Sequence, residues 1–404
     1  MHKRNLVSLG LLSILAAAGT ASVAVVGCSG DDAATDAGPD QITSDQINPP
    51  PDTGTPDTGT DAGTPRARLT VVHASPAAGI VRICFAIRST TDAGTVDTIA
   101  PFLPLPHSRT AGQIAAGQPY PGLPPGFGGP LSDTGSNLEV LTIVPYVINA
   151  AKVAQYSRED GGTPTACDEL LKPDAGVALV ENQDYWKLAP IPAGTFKAGK
   201  AYIVAAVGCP KYSATLFGGE AQAKVKCGTD YTDDDGNLGA KVFEVSKTVP
   251  NANQIGAQFL HLSPVVQNVP SLGPDGVVAV FKEGDASTPI NPTPSKYLDN
   301  AAPATPTAAT VSANGILIAN AIAGDASTPV PMPLAAVSQL STGSNTFAYV
   351  NGNSYTFIAL GDPTLPSYIN PLDGGPLAPD AGGVFNGRSI HFLGFPNEFT
   401  PPKY

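Results

Sequence analysis

Leu69-Thr70-Val71-Val72-His73-Ala74-Ser75-Pro76 and Phe259-Leu260-His261-Leu262-Ser263-Pro264 are two copies of one pattern. Apolar residues lead into His-x-Ser-Pro, which reads as a strand closed by a turn. Each copy is followed later by a tyrosine-led apolar run that stops at glycine. The first is Lys200-Ala201-Tyr202-Ile203-Val204-Ala205-Ala206-Val207-Gly208, the second Ser354-Tyr355-Thr356-Phe357-Ile358-Ala359-Leu360-Gly361. The order is the same both times, so the chain holds a repeat. The His-to-Tyr separation is 202 − 73 = 129 in the first copy and 355 − 261 = 94 in the second. The first copy therefore carries an insertion, assigned to the Pro/Gly-rich stretch 101–130 and to 150–171. Ser389-Ile390-His391-Phe392-Leu393-Gly394-Phe395-Pro396 is a third, partial copy with 404 − 391 = 13 residues after its histidine, read as a strand that closes the second repeat.

The run Ile80-Val81-Arg82-Ile83-Cys84-Phe85-Ala86-Ile87 follows the first copy at once. Val81, Ile83, Phe85 and Ile87 share one face, Arg82 and Cys84 the other. A short Pro/Gly turn between the two runs predicts an antiparallel pair. Further strands are predicted at 138–144, 241–245, 277–281, 315–319 and 334–340. The segment 150–171 is the one predicted helical region, since Ala150-Ala151-Lys152-Val153-Ala154-Gln155-Tyr156 holds good helix formers and Cys167-Asp168-Glu169-Leu170-Leu171 could add a turn. Many short strands separated by turns point to an all-β fold of antiparallel β-sandwich modules with a small helical insertion in the first.

Charged residues are only 14% of the chain, and Gly 43 and Pro 41 are both high. That mix suits β-modules with long turns better than helical bundles or full disorder. The net charge of −12 argues against binding nucleic acid or anionic lipid by charge. Cys84, Cys167, Cys209 and Cys227 are an even set. In an oxidising compartment they form two disulfides by one of three pairings. The favoured pairing is Cys209 with Cys227 as a local staple and Cys84 with Cys167, which pins the helical insert to the sheet. Metal ligation is the weaker reading, because the spacings are wide and no Cys-x-x-Cys occurs.

The compartment is read from the amino terminus. His2, Lys3 and Arg4 precede an apolar run from Leu6 to Val26, the layout of a secretory signal. Val25-Val26-Gly27-Cys28 resembles the lipobox of bacterial lipoproteins. The resemblance implies cleavage before Cys28, a diacylglyceryl thioether on its sulfur and acylation of the new amino terminus (palmitate or a similar chain). A transmembrane helix is the rival, weakened by the alanines and glycines of the run and by Asp31 and Asp32 after it. Ser29 in place of aspartate favours the outer membrane over the inner, by resemblance to enterobacterial sorting. The expected organisation is signal peptide 1–27, disordered Pro/Thr/Gly/Asp-rich tether 28–65, first β-sandwich module 66–250 and second module 251–404. The tether includes Pro50-Pro51-Asp52-Thr53-Gly54-Thr55-Pro56, which has no apolar stripe to bury.

The opening strand, Ile191-Pro192-Ala193-Gly194-Thr195 and Ala198-Gly199-Lys200-Ala201-Tyr202-Ile203-Val204-Ala205-Ala206-Val207-Gly208 together resemble the bacterial domain-of-unknown-function family 4397. The pattern departs after Ser-Pro, where Ala77 and Ala78, and Val265 and Val266, replace the usual aspartate and alanine. The resemblance implies two tandem immunoglobulin-like modules on a secreted or surface protein, and no activity.

Candidate chemistry is sparse. His73 with Ser75, and His261 with Ser263, face one side of a strand, but a Ser–His nucleophile also needs contact, an orienting acid and an oxyanion hole. The structural reading is that each histidine satisfies buried backbone groups and each serine caps the turn before proline. Asp230, Asp233, Asp235 and Asn237 crowd one Gly-containing loop and are the candidate Ca²⁺ ligands; an acidic hairpin tip is the stronger reading. Trp186 is read as core. The expectation is a lipid-anchored envelope protein that is not an enzyme, with no cofactor beyond Ca²⁺ as a candidate. Its partners are the membrane, through the anchor, and an envelope protein or glycan; nucleic acid is excluded. A secreted carbohydrate-active or other hydrolytic enzyme is the runner-up, and a calcium-stabilised surface module the third reading.

Overall fold

The computed structural model describes residues 66–92, 94–99, 122–130, 137–153, 167, 171, 179–249, 252–268, 277–282, 285–289, 295–299, 307–309, 311–312, 315–316, 319–322, 351–366, 368–369, 376, 384–385 and 388–397. The predicted leader, tether and strand 334–340 lie outside them, as do most of the two predicted insertions. The described chain is mainly β-strand, with a few short helices.

Strand β1 (Arg68–His73) sits inside a four-stranded sheet of order β4-β1-β7-β8, with β4 at Phe127–Pro130, β7 at Ala201–Val207 and β8 at Gly239–Val245. β1 runs parallel to β7, and the outer pairs are antiparallel. A second, antiparallel sheet has the order β3-β2-β5-β6, from Gly94–Ile99, Val81–Thr91, Thr142–Asn149 and Tyr185–Lys187. The two sheets share a core: Leu69, Val71, Tyr202 and Val204 from the first meet Val81, Ile83, Phe85 and Val147 from the second. The predicted antiparallel pairing of β1 with β2 is therefore corrected. The turn between them carries the chain across the sandwich, so the strands face each other without sharing a ladder. Alternation shows which side of a strand is buried, but not whether its neighbour lies beside or opposite it.

Strands β9 (Ile255–His261), β13 (Thr307–Ala309), β17 (Ser354–Leu360) and β20 (His391–Pro396) form a third sheet of order β13-β9-β17-β20. Its strand directions copy those of the first sheet. So does its register: Leu69 lies opposite Tyr202 and Ala257 opposite Tyr355, each four residues before the motif histidine. Strands β10 (Val277–Lys282), β11 (Asp285–Pro289), β12 (Ser295–Lys296) and β16 (Ala319–Ile322) build a fourth sheet. Two-stranded ladders join β14 (Val311–Ser312) with β15 (Gly315–Ile316), and β18 (Tyr368–Ile369) with β19 (Val384–Phe385).

The first and third sheets pack on each other. Val72, Ile203, Ala205, Phe243 and Val245 share one apolar cluster with Ile358, Leu360, Leu393 and Phe395. The first sheet is thus covered on both faces, and all seven residues of β7 are buried. This explains why Ala201–Val207 reads as an unbroken apolar run, as doubly covered parallel strands do. β17 is buried along its whole length as well.

Both runs end in glycine for the same reason. Gly208 (φ 77°) and Gly361 (φ 86°) are left-handed, and a Cβ would lie 2.3 Å from the Asn237 carbonyl oxygen in one case and 2.0 Å from that of Ser389 in the other. Neither the backbone angle nor the space admits a side chain.

The third motif copy closes its sheet as expected, but the registers make it a counterpart of β8 and not of β1. Pro396 of β20 lies opposite Tyr355, as Glu244 of β8 lies opposite Tyr202. β20 closes its sheet as β8 closes the first, so His391 matches Gly239 rather than His73.

Helices occur at α1 (Ala150–Val153), α2 (Ala214–Phe217), α3 (Glu220–Cys227) and α4 (Pro264–Asn268). α1 falls in the predicted helical region, and Cys167 and Leu171 are helical there as well; residues 154–166 and 168–170 are not among those described. The run of α3, Glu220-Ala221-Gln222-Ala223-Lys224, carried a readable signal: good helix formers and a Glu220–Lys224 ion pair of 2.8 Å at i,i+4. The disulfides are Cys84–Cys167 and Cys209–Cys227, with Cα separations of 5.7 and 5.4 Å.

Candidate functional site

The repeated His-x-Ser-Pro is the natural place to look for chemistry, and it is a buried joint. His73 ends β1 with no solvent exposure. Its Nε2 donates to the Gly79 carbonyl at 2.7 Å, which closes the turn leading into β2. Among the described residues Nδ1 has no partner. Burial is the main force that pushes the His73 pKa down to about 4, with the positive charge of Arg388 adding and the Gly79 bond opposing.

In the second copy the roles are redistributed. His261 Nδ1 accepts from the Ser263 backbone N–H at 3.2 Å, and its ring meets Tyr297 edge-on with 5.8 Å between centroids. Ser263 Oγ donates to the Gly361 carbonyl at 2.5 Å and accepts from Val266 N at 3.3 Å, which caps α4. The ring nitrogen faces the serine amide, so the hydroxyl is not set up as a nucleophile with the histidine as base. Ser75 Oγ is buried with no partner among the described residues.

His391 does a third job. Its Nδ1 lies 2.6 Å from the Ser389 carbonyl and its Nε2 2.8 Å from that of Gly126, on the loop entering β4. A neutral ring can donate to only one of them. Burial lowers the pKa of this histidine too, against the pull of the two carbonyls. The three histidines thus act as separate ties. Among the described residues no group of three or more His, Cys, Asp or Glu side chains is placed to hold a metal ion.

The predicted calcium loop is used by its own neighbours. Asp233 Oδ1 accepts from Ala214 N at 3.0 Å and from Tyr231 Oη at 2.7 Å, so it holds the start of α2. Asn237 Nδ2 donates to Asp230 Oδ1 at 2.7 Å and to the Cys227 carbonyl at 3.0 Å, while its Oδ1 accepts from Cys209 N at 2.8 Å. Asp235 N meets Thr232 Oγ1 at 3.3 Å. These bonds lace the loop to both ends of the Cys209–Cys227 disulfide. The carboxylates of Asp230, Asp233 and Asp235 do not converge on one point. Trp186 packs against the core between the first two sheets.

Two features were not legible in the sequence. On the outer face of the second sheet, Asp97 is bonded to Arg88 at 2.7 and 3.0 Å and paired with Lys187. The Arg88 guanidinium, then Lys187, holds the Asp97 carboxyl well below the usual carboxylate range. At the seam between the first and third sheets, Gln258 grips the Ser246 backbone from both sides: Oε1 accepts from its N–H at 3.0 Å and Nε2 donates to its carbonyl at 2.7 Å. Asn397 Nδ2 donates to the same carbonyl at 2.8 Å, and Thr356 Oγ1 donates to Asn397 Oδ1 at 2.6 Å. Lys226 of α3 adds an ion pair to Asp362, after β17. Isolated polar residues inside strands give no hint of such a clamp until the strands are placed side by side.

Compared with known proteins, the chain matches no protein-family model. No curated protein matches it either.

Proposed function

We propose that this is a lipid-anchored cell-envelope protein of the outer membrane whose folded part is a non-catalytic structural or adhesive unit. The observation that carries the reading is the use of the repeated motif. Its histidines and Ser263 spend their hydrogen bonds on backbone groups inside the fold. The reading takes the paired sheets as two tandem immunoglobulin-like modules, 66–250 and 251–404, supported by their matching registers. It takes Cys28 as the acylated residue, and two closed disulfides are in keeping with an oxidising compartment.

Fractionation of cells carrying the wild type and Cys28→Ser tests the anchor. The wild type should sediment with membranes and yield an amino-terminal peptide beginning at Cys28 with diacylglyceryl and acyl mass. The variant should be released. A soluble wild type starting at another residue overturns the address. For the adhesive role, cross-linking on intact cells followed by mass spectrometry should recover an envelope protein or glycan. Recovery of neither counts against it.

A further inference from the structure

The segment 209–237 is a knob that starts directly after Gly208, the stop of β7, and is closed by the Cys209–Cys227 disulfide. The equivalent point of the second copy is Asp362, directly after Gly361, the stop of β17. The knob reaches from the first point to the second. Lys226 of α3 pairs with the Asp362 carboxylate and donates to Thr364 Oγ1 at 3.1 Å. That carboxylate is aimed. Its Oδ1 accepts from Thr364 N at 2.8 Å and from Thr364 Oγ1 at 2.6 Å, while its Oδ2 meets the lysine. Asp362 is also fixed to the chain entering β20: its N–H donates to the Arg388 carbonyl at 2.8 Å, and its carbonyl accepts from Ile390 N at 3.1 Å.

Further contacts lie beside the ion pair. α3 rests on α4, which begins at the proline of the second His-x-Ser-Pro. A Cβ on Gly228 would lie 3.8 Å from Tyr297 Oη, and the Tyr297 ring meets His261 edge-on. In α3 the buried side chains are Ala223 and Cys227, and a helix of eight residues does not hold by itself. The disulfide at Cys227 therefore sets where Lys226 stands.

The packed first and third sheets are thus fastened differently at their two ends. β7 begins beside Val245 of β8 and finishes beside Gly239. The grip of Gln258 and Asn397 on Ser246 holds the beginning. The knob, with the His391–Gly126 bond, holds the finish. Between them lies the apolar contact of Val72, Ala205, Ile358 and Leu393.

We infer that the knob is a strap built into the fold: it keeps the first and third sheets closed where β7 and β17 finish, and its release opens the seam at that end, with the Ser246 grip as the hinge. The strap works without the lipid anchor and without a partner.

Hydrogen exchange read by mass spectrometry on the full chain tests it. In Lys226→Met, peptides covering Ile358–Leu360 and His391–Leu393 should exchange at least about tenfold faster, the size expected when a local opening no longer has to break a hydrogen bond to a charged group. Peptides covering Val242–Ser246, and those of β2 and β5, should keep the wild-type rate. Asp362→Asn should act as Lys226→Met does. The double variant should add nothing more, because both changes remove one contact. Cys209→Ala with Cys227→Ala should speed the same peptides at least as much; if that pair does not fold, the Lys226 and Asp362 variants decide alone. Unchanged exchange at the finish of β17 in Lys226→Met overturns the proposal. So does acceleration spread equally over both ends, the mark of a general loss of stability. Full additivity in the double variant overturns it too, since the two side chains would then act separately.

Discussion

The first and third sheets share strand order, direction and register, yet the same four-residue motif is wired differently in each. In the first, His73 reaches forward to Gly79 and the serine finds no partner among the described residues; in the second, His261 is tied to Ser263, which caps a helix. The difference follows from what comes after proline. Ala77 and Ala78 lead to a left-handed Gly79 (φ 69°) and a quick crossing to β2, whereas Val265 and Val266 enter α4 and are buried. What the copies hold in common is the place of a buried polar pair at the end of an inner strand. A reactive geometry would need common contacts, and these differ.

The sharpest way to strain the comparison is to open the disulfides one at a time. Cys84–Cys167 closes 83 residues of separation and Cys209–Cys227 closes 18. On the loop-entropy model, replacing the first pair by serine costs about 4.5 kcal/mol and the second about 3. Denaturant melts should show that order, and a reversed order would mean that the knob supports more of the fold than the insert does. The paired glycines should respond alike: Gly208→Ala and Gly361→Ala each combine a left-handed backbone with a carbonyl clash, for a loss of about 3 kcal/mol or more. If one proves harmless, the two turns are not equivalent.

Acid should act on the first copy through His73. His73 titrates near 4 in the folded chain, against an ordinary value of 6.5. A depressed pKa means that the unfolded chain takes up the proton first. Stability should therefore be full above about pH 6.5 and fall by about 3 kcal/mol as the pH drops to 4. His73→Gln should flatten much of that slope in pH-resolved chemical melts; an unchanged slope would place the acid sensitivity elsewhere. The smallest effect is expected at the serines. Ser263→Ala removes a helix cap and should cost about 1 kcal/mol, and Ser75→Ala less. Equal losses in thermal melts would show a partner for Ser75 matching that of Ser263.

The β-rich fold, the strand repeat and the split faces of Val81–Ile87 were legible because each leaves a local periodic trace, and the cysteine pairs because an even set of four allows only three pairings. The sheet-to-sheet crossing after Pro76 was not, since Val71 and Val81 alternate the same way whether paired or opposed. The bond between His391 and Gly126 was also hidden: it spans 265 residues and depends on two sheets meeting face to face. The acidic loop drew attention by composition, while its actual work, securing Ala214 and Cys209, depends on which backbone amides lie nearby.

The inner place of β1 bears on how the protein answers a pull. Tension arriving from the amino-terminal side enters at Arg68 and runs along a strand bonded on both flanks, to β4 and to β7. Such a strand cannot be peeled off one rung at a time. Both ladders must shear together before β1 is released.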